Sequence, residues 1–396
     1  MAYQSVMRRV QPSELILDKP LPWPLYDEYG NLLLREGYVI SIPRHLSSLL
    51  KRGAYVHTER KIKPAFMDDN AASRVESEYV FRTKPLPMVQ PVFGRAEALA
   101  QTLKRLHAHM LAQSLQAELR TIVRSLAHAL IQACADDSDA LLAAFHLDRQ
   151  SPYLVIHQLL GCALTEIAAR EMGLDEATRL SLACACLTRD IALLPWQAQF
   201  DMQTHGLDPQ QNALVRAHPL RSAEILAEQG VDDPLWLEFV RQHHERIDGS
   251  GYPYALQGDA ILPGARLLAI ADSYAAMVTP RPNRTGKFPK DALKMLYQQR
   301  ANLYDEELLR ISVSTLTALP PGTIVRLANG ELAVVRTRQK KGAQPDIWTL
   351  YDRNGMPVMK PQHRDAGNPE YAITGVLRVE ECRSAILVMK RLWTQP

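Results

Sequence analysis

From residue 93 onward the apolar positions recur every three to four residues: Ala96, Leu99, Leu103, Leu106, Met110 and Leu111, then Leu119, Ile122, Val123, Leu126 and Leu130. That stripe belongs to amphipathic helices. Further helical stretches are predicted over residues 153–172, where Gly173 supplies a stop, and over 175–187, 208–229, 234–240 and 263–277. Pro219 lies inside the third of these, where a ring without an N–H predicts a kink or a restart just after His218.

After residue 312 the texture changes to short alternating runs. Residues 323–327 and 331–335 flank Asn329-Gly330, a pair that favours a tight primed turn, and residues 347–351, Asn354-Gly355 and residues 371–379 extend the pattern to a small twisted sheet or barrel. At the other end, residues 25–34 carry a turn signal between apolar runs, the mark of a hairpin, and a short helix is predicted over 43–52, ending at Gly53. Residues 63–92 are polar and punctuated by proline. The chain therefore divides into a small N-terminal β-containing module (1–62), a linker (63–92), a helical domain (93–312) and a β-rich C-terminal module (313–396). The fold class expected is multidomain and mainly α: a helical bundle flanked by a small α+β module and a small β-sheet or barrel.

Composition narrows the class without naming a function. With 396 residues, 46% apolar and 22% charged, the chain has the make-up of a soluble globular protein of several domains. A net charge of +3 is too weak to imply a nucleic-acid polymer as partner. Cys134, Cys162, Cys184, Cys186 and Cys382 show no zinc spacing, and Cys184 and Cys186 sit in an apolar run, as buried thiols in a reducing compartment do. No run approaches the roughly 18 apolar residues of a membrane span, and the N-terminal residues lack an apolar signal core. A cytoplasmic location and no membrane partner are expected.

The chemistry gathers around residues 241–253, where His243 and His244 close a helix and lead through Glu245 and Asp248 into Gly249-Ser250-Gly251-Tyr252-Pro253. Adjacent helical positions point about 100° apart, so the two imidazoles cannot chelate one ion as histidines one turn apart do. They border a larger cluster, or lie one in and one out. His157, Asp190, His218 and Asp272 stand on successive predicted helices of the same segment. Imidazoles and carboxylates in such a set suit iron, manganese, zinc or nickel, although an ion-pair or capping role remains open for Asp272.

On these residues the sequence resembles the HD-GYP family, helical metal-dependent phosphodiesterases that linearise and hydrolyse cyclic di-GMP in bacteria. The likeness covers residues 152–305 and is sharpest at His243-His244-Glu245, Asp248-Gly249 and Gly251-Tyr252-Pro253. It implies a helical HD-domain bundle over 93–312, with His157, Asp190, His218, His243, His244 and Asp272 as metal ligands and Asp190 bridging two ions. It further implies that Arg281 and Arg284 hold substrate phosphate, beside a substrate-binding turn of Asp248, Gly251, Tyr252 and Pro253.

The departures from the family pattern fall on the catalytic doublet. Where the family has His-Asp-Ile-Gly-Lys, this chain has Arg189-Asp190-Ile191-Ala192-Leu193; Tyr153 stands where some trinuclear members carry a glutamate, and Ala275 replaces an aspartate. An arginine is permanently protonated and offers no lone pair, so Arg189 cannot ligate a metal. One divalent ion, iron, manganese or similar, is expected rather than two or three, or none. Arg189 is then a candidate catalytic residue beside Asp190, filling the vacated ion's place and neutralising substrate phosphate. Three readings follow: a degenerate signalling protein that binds cyclic di-GMP or a partner protein with weak or lost hydrolysis, an active phosphodiesterase using the remaining ligands, and a non-catalytic scaffold. A homodimer is a further expectation.

Overall fold

In a computed structural model, residues 3–11, 14–16, 19, 21–26, 32–34, 54–61, 91–112, 118–298, 303–339 and 343–393 are described. The turn of the hairpin expected over 25–34, the helix expected over 43–52 and nearly all of the 63–92 linker lie outside these residues. The chain forms two compact units, Met1–Phe81 and Arg82–Pro396.

In the first unit, β1 (Tyr3–Arg9), β2 (Leu25–Tyr26), β3 (Leu32–Leu34) and β4 (Tyr55–Lys61) make an antiparallel sheet in the order β1-β4-β2-β3. Val10, Leu15, Leu21, Leu25, Ala54 and Val56 form its buried cluster, with Trp23 packed against it.

The second unit is mainly helical. Its helices are α1 (Val92–Leu111), α2 (Leu119–Leu147), α3 (Tyr153–Glu171), α4 (Glu176–Thr188), α5 (Gln197–Met202), α6 (Pro209–Glu228), α7 (Pro234–Gln242), α8 (Pro263–Val278), α9 (Pro289–Gln298) and α10 (Glu306–Leu316), with a short α11 (Ile386–Arg391) near the end. Capping explains several starts. Asp175, Asp233 and Asp305 accept from the backbone N–H three residues on, and Asp208 forms a reciprocal box with Gln211 ahead of Pro209.

Helix α3 is buried nearly all the way round, and it packs against α1, α2, α4, α8 and α10. A helix apolar on every face can only be a central one. Its polar members His157, Gln158, Thr165 and Glu166 are therefore buried and need partners, while Arg170 and Glu171 at its end are exposed.

The C-terminal strands β5 (Ile324–Leu327), β6 (Leu332–Thr337), β7 (Asp346–Tyr351), β8 (His363–Asp365) and β9 (Ile373–Leu377) form a five-stranded antiparallel sheet in the order β8-β7-β6-β5-β9. Val325, Leu327, Ala333, Val335 and Ile347 fill its core. The sheet docks on α2: Arg338 pairs with Asp139 at 2.5 Å, and His146 Nδ1 meets the Pro321 carbonyl at 3.2 Å. Among the described residues no helix is long and apolar enough to cross a membrane.

Candidate metal centre

Helix α6 runs through Pro219 rather than breaking there. Proline has no N–H for the carbonyl four residues back, so the Val215 carbonyl is left without its helical donor. His218 Nδ1 takes that place, 2.5 Å from Val215 O. On α7 the last carbonyls have no intrahelical partner, and His243 Nδ1 meets Val240 O at 2.6 Å. A carbonyl only accepts, so each Nδ1 carries the proton and each Nε2 keeps its lone pair.

Those two Nε2 atoms face each other at 3.1 Å. His244 joins them from the C-terminal end of α7, and the ligand atoms of His218, His243 and His244 all lie within 4.8 Å of one another. Burial lowers the affinity of all three rings for a proton, for His243 and His244 well below the ordinary histidine range, with neighbouring imidazoles adding to the effect. Neutral rings with lone pairs converging in a buried place fit a divalent cation. Asp190 Oδ1 lies 3.7 Å from His218 Nε2 and supplies a carboxylate at the edge of the same cluster.

The other half of the site is organised differently. Arg189, fully buried at the end of α4, donates from Nε to Asp272 Oδ1 at 2.9 Å and from Nη2 to His157 Nε2 at 2.9 Å, and Nη1 donates to the Cys186 carbonyl. Asp190 Oδ2 stands 3.4 Å from its Nε. The guanidinium thus occupies the space among His157, Asp190 and Asp272. Gly161, one turn along α3 from His157, leaves room for it: a Cβ there would come within 3.3 Å of Nη2. Burial alone would raise the Asp190 and Asp272 carboxyls, but the Arg189 charge and then His157 outweigh it, and both are held down, Asp272 well below its usual range.

His157, Asp190, His218, His244, Tyr252, Asp272, Arg281 and Arg284 all line one cavity of about 580 Å³. His243 sits behind His244, and Arg189 does not reach the lining. Every face of the guanidinium meets protein. Arg281 is held 4.2 Å over the Tyr153 ring with Nη2 donating to Tyr153 Oη at 2.8 Å. Arg284 donates to the Ala276 carbonyl at 2.5 Å.

Asp248, Gly251 and Pro253 do not line the cavity. They shape the turn instead. Exposed Asp248 accepts from the Ser250 N–H at 2.9 Å, and Gly249 takes a φ of 80°. A Cβ on Gly251 would fall 2.4 Å from Arg246 N, so only glycine passes there. Buried Glu245, the acid after the paired histidines, accepts from the N–H groups of Tyr254 and Leu256 at 2.7 and 3.0 Å and pins the turn that carries Tyr252.

A family model for the HD domain matches residues 109–308. Cyclic di-GMP phosphodiesterase PA4108 of Pseudomonas aeruginosa is 30% identical over 197 residues, 50% of this chain and 47% of that protein. 3'3'-cGAMP-specific phosphodiesterase 3 of Vibrio cholerae is 28% identical over 174 residues, 44% of this chain and 38% of that protein. The chain belongs to the HD-GYP family of HD domains. It spans less than half the length of these two HD-GYP relatives. Among solved structures, Bd1817, an HDG"Y"P protein from Bdellovibrio bacteriovorus, matches with a TM-score of 0.51 at 18% identity, covering 78% of this chain and 98% of that one, a likeness of fold alone.

Sequence reasoning missed one part of this HD-GYP centre. Fully buried Gln158 donates to Asp190 Oδ2 at 3.2 Å and meets His107 Nε2 at 3.0 Å with its carbonyl oxygen. A glutamine inside the apolar run of α3 was the available signal, since a buried amide requires partners.

Proposed function

We propose that this chain is a cyclic di-GMP signalling protein whose HD-GYP centre is built for a single divalent cation, so that ligand binding dominates and hydrolysis is weak or lost. The observation carrying the reading is the buried Arg189 guanidinium bonded to His157 and Asp272, beside three neutral imidazoles and one oxygen of Asp190 that stay free for an ion. A fixed cation against two donors repels a second metal at that place.

His218, His243, His244 and Asp190 would hold the cation, which when bound would supply Lewis-acid polarisation of a phosphoryl oxygen. The protein's own part is positioning. Arg281 and Arg284 give guanidinium forks for phosphate oxygens on one side of the cavity, and half-buried Tyr252 gives an aromatic wall on the other. Asp190 is held between Arg189 and Gln158 and turns its other oxygen toward His218. With Asp190 and Asp272 both held anionic by Arg189, no carboxylic acid is poised there to protonate a leaving oxygen. Protein partners and a homodimer belong to the same proposal, as does the division into 1–62, 63–92, 93–312 and 313–396.

Metal analysis of purified protein, joined to cyclic di-GMP binding and turnover after manganese or iron loading, tests this reading. One equivalent of metal with saturable ligand binding and little product is expected; brisk turnover by the unaltered protein overturns it. A second reading, a working phosphodiesterase on one ion, is favoured by the intact imidazole triad. It requires that turnover be measurable and vanish in His243→Ala. Absence of both metal and ligand binding would leave the scaffold reading.

A further inference from the structure

A second cavity, of about 700 Å³, opens between the start of α3, the loop after α8 and the C-terminal sheet. It shares Tyr153, Arg281 and Arg284 with the metal-centre cavity but extends the other way, to Lys287, Phe288 and Val376, which do not line that cavity. Its volume lies within the range of small-molecule sites.

Two kinds of wall meet in it. One is apolar and aromatic, with Val376, Ile324 and Phe288, over whose ring the Arg378 guanidinium stands at 4.8 Å. The other is cationic. Arg281, Arg284 and Lys287 form no direct ion pair among the described residues, although the charge of Arg281 acts on the Asp201 carboxylate of the same lining; Arg149, by contrast, pairs with Glu380 at 2.6 Å. Arg281 Nε and Thr279 Oγ1 are buried with no hydrogen-bond partner, although both residues line the cavity. The N-terminus of α3, also on this rim, has no side-chain cap. Unpaired cations, orphaned donors and an uncapped helix start all favour an anion, and the apolar wall favours a flat ring beside it.

We propose that this cavity is a second ligand site, for a nucleoside monophosphate, with phosphate toward Arg281, Arg284 and Lys287 and the base against Phe288 and Val376. Because Arg281 and Arg284 face both cavities, an occupant here competes for the guanidinium groups available to a substrate in the other. The site does not depend on turnover or on metal at the first centre.

Calorimetric titration of the full chain with GMP, AMP and inorganic phosphate tests it. Saturable binding of at least one nucleotide, with one equivalent per chain and at least about tenfold tighter than inorganic phosphate, is expected. Lys287→Glu, at an exposed side chain, should weaken it about tenfold or more by reversing one charge. Val376→Trp, its fold checked by circular dichroism, should abolish binding by filling the space, and His244→Ala should leave it unchanged. The inference is overturned if no nucleotide binds, if inorganic phosphate binds as tightly, or if His244→Ala removes the binding while Lys287→Glu leaves it intact. The last result would put the nucleotide in the metal-centre cavity.

Discussion

His218 and His243 turn their Nε2 atoms toward each other at 3.1 Å, each ring having committed its Nδ1 proton to a carbonyl of its own helix. Two lone pairs at that distance repel unless a cation stands beside both. The expected outcome is metal-dependent stability: a chelator should lower the melting temperature, and excess manganese should restore it. At a metal concentration a hundredfold above Kd the gain is about 2.7 kcal/mol. His243→Ala should abolish the response, as read by thermal denaturation with and without chelator.

Pro219 and His218 form a second testable pair. Pro219→Ala returns an N–H to the Val215 carbonyl, which then no longer needs the His218 proton. Metal affinity should fall by about tenfold, the scale of losing an orienting partner. Helix stability should be unchanged or raised, since proline inside a helix is unfavourable by about 3 kcal/mol. Metal titration and urea unfolding on one variant read the two opposite effects; a parallel loss of both would contradict the assignment.

Replacing Arg189 separates its structural part from its chemical one. Arg189→Met leaves the buried Asp272 carboxylate without its counter-charge and should cost about 3–5 kcal/mol in urea unfolding. Arg189→His removes the fixed cation and adds an imidazole beside His157 and Asp272. A second equivalent of metal and a rise in cyclic di-GMP turnover are expected, read by metal analysis and product formation. Retention of a single equivalent would show that more than this side chain excludes the second ion.

The acid side of the stability curve should carry the mark of His107. Burial lowers its pKa to about 4, opposed in part by its bond to Gln158 and by the Asp190 charge. The unfolded chain therefore takes up this proton first as pH falls below about 6.5. More protons bind to the unfolded state, so stability falls as pH drops through the window from about 6.5 to 4, by about 3 kcal/mol in all for this group. His107→Gln keeps a polar partner for Gln158 and should flatten that part of the curve, as measured by urea midpoints across the window.

The same residues show where sequence reasoning reached its limit. The stripe that predicted the helices rests on the 3.6-residue turn, a local property, and the predicted helices α4, α6 and α7 start at capping aspartates, whereas α10 was not foreseen although Asp305 caps it. The ligand-type residues could be collected because they stand on or at the ends of successive helices at motif positions. Their orientations could not. Pro219 reads locally as a breaker, yet packing carries α6 through it and uses the freed carbonyl to set the His218 ring. Gln158 and His107 lie 51 residues apart and meet only because α1 packs on α3.

By itself the sequence determined most of the element types, the family motif and the presence of an arginine beside Asp190, since local periodicity and side-chain chemistry do not depend on distant contacts. Only the tertiary structure decided what the arginine does in its new place. Packing buried the guanidinium against Asp272 and His157 rather than turning it toward the cavity, because a buried charge requires its partners on every side. The second cavity was likewise illegible in the chain, being formed where a C-terminal sheet meets the starts and ends of helices far from it in sequence.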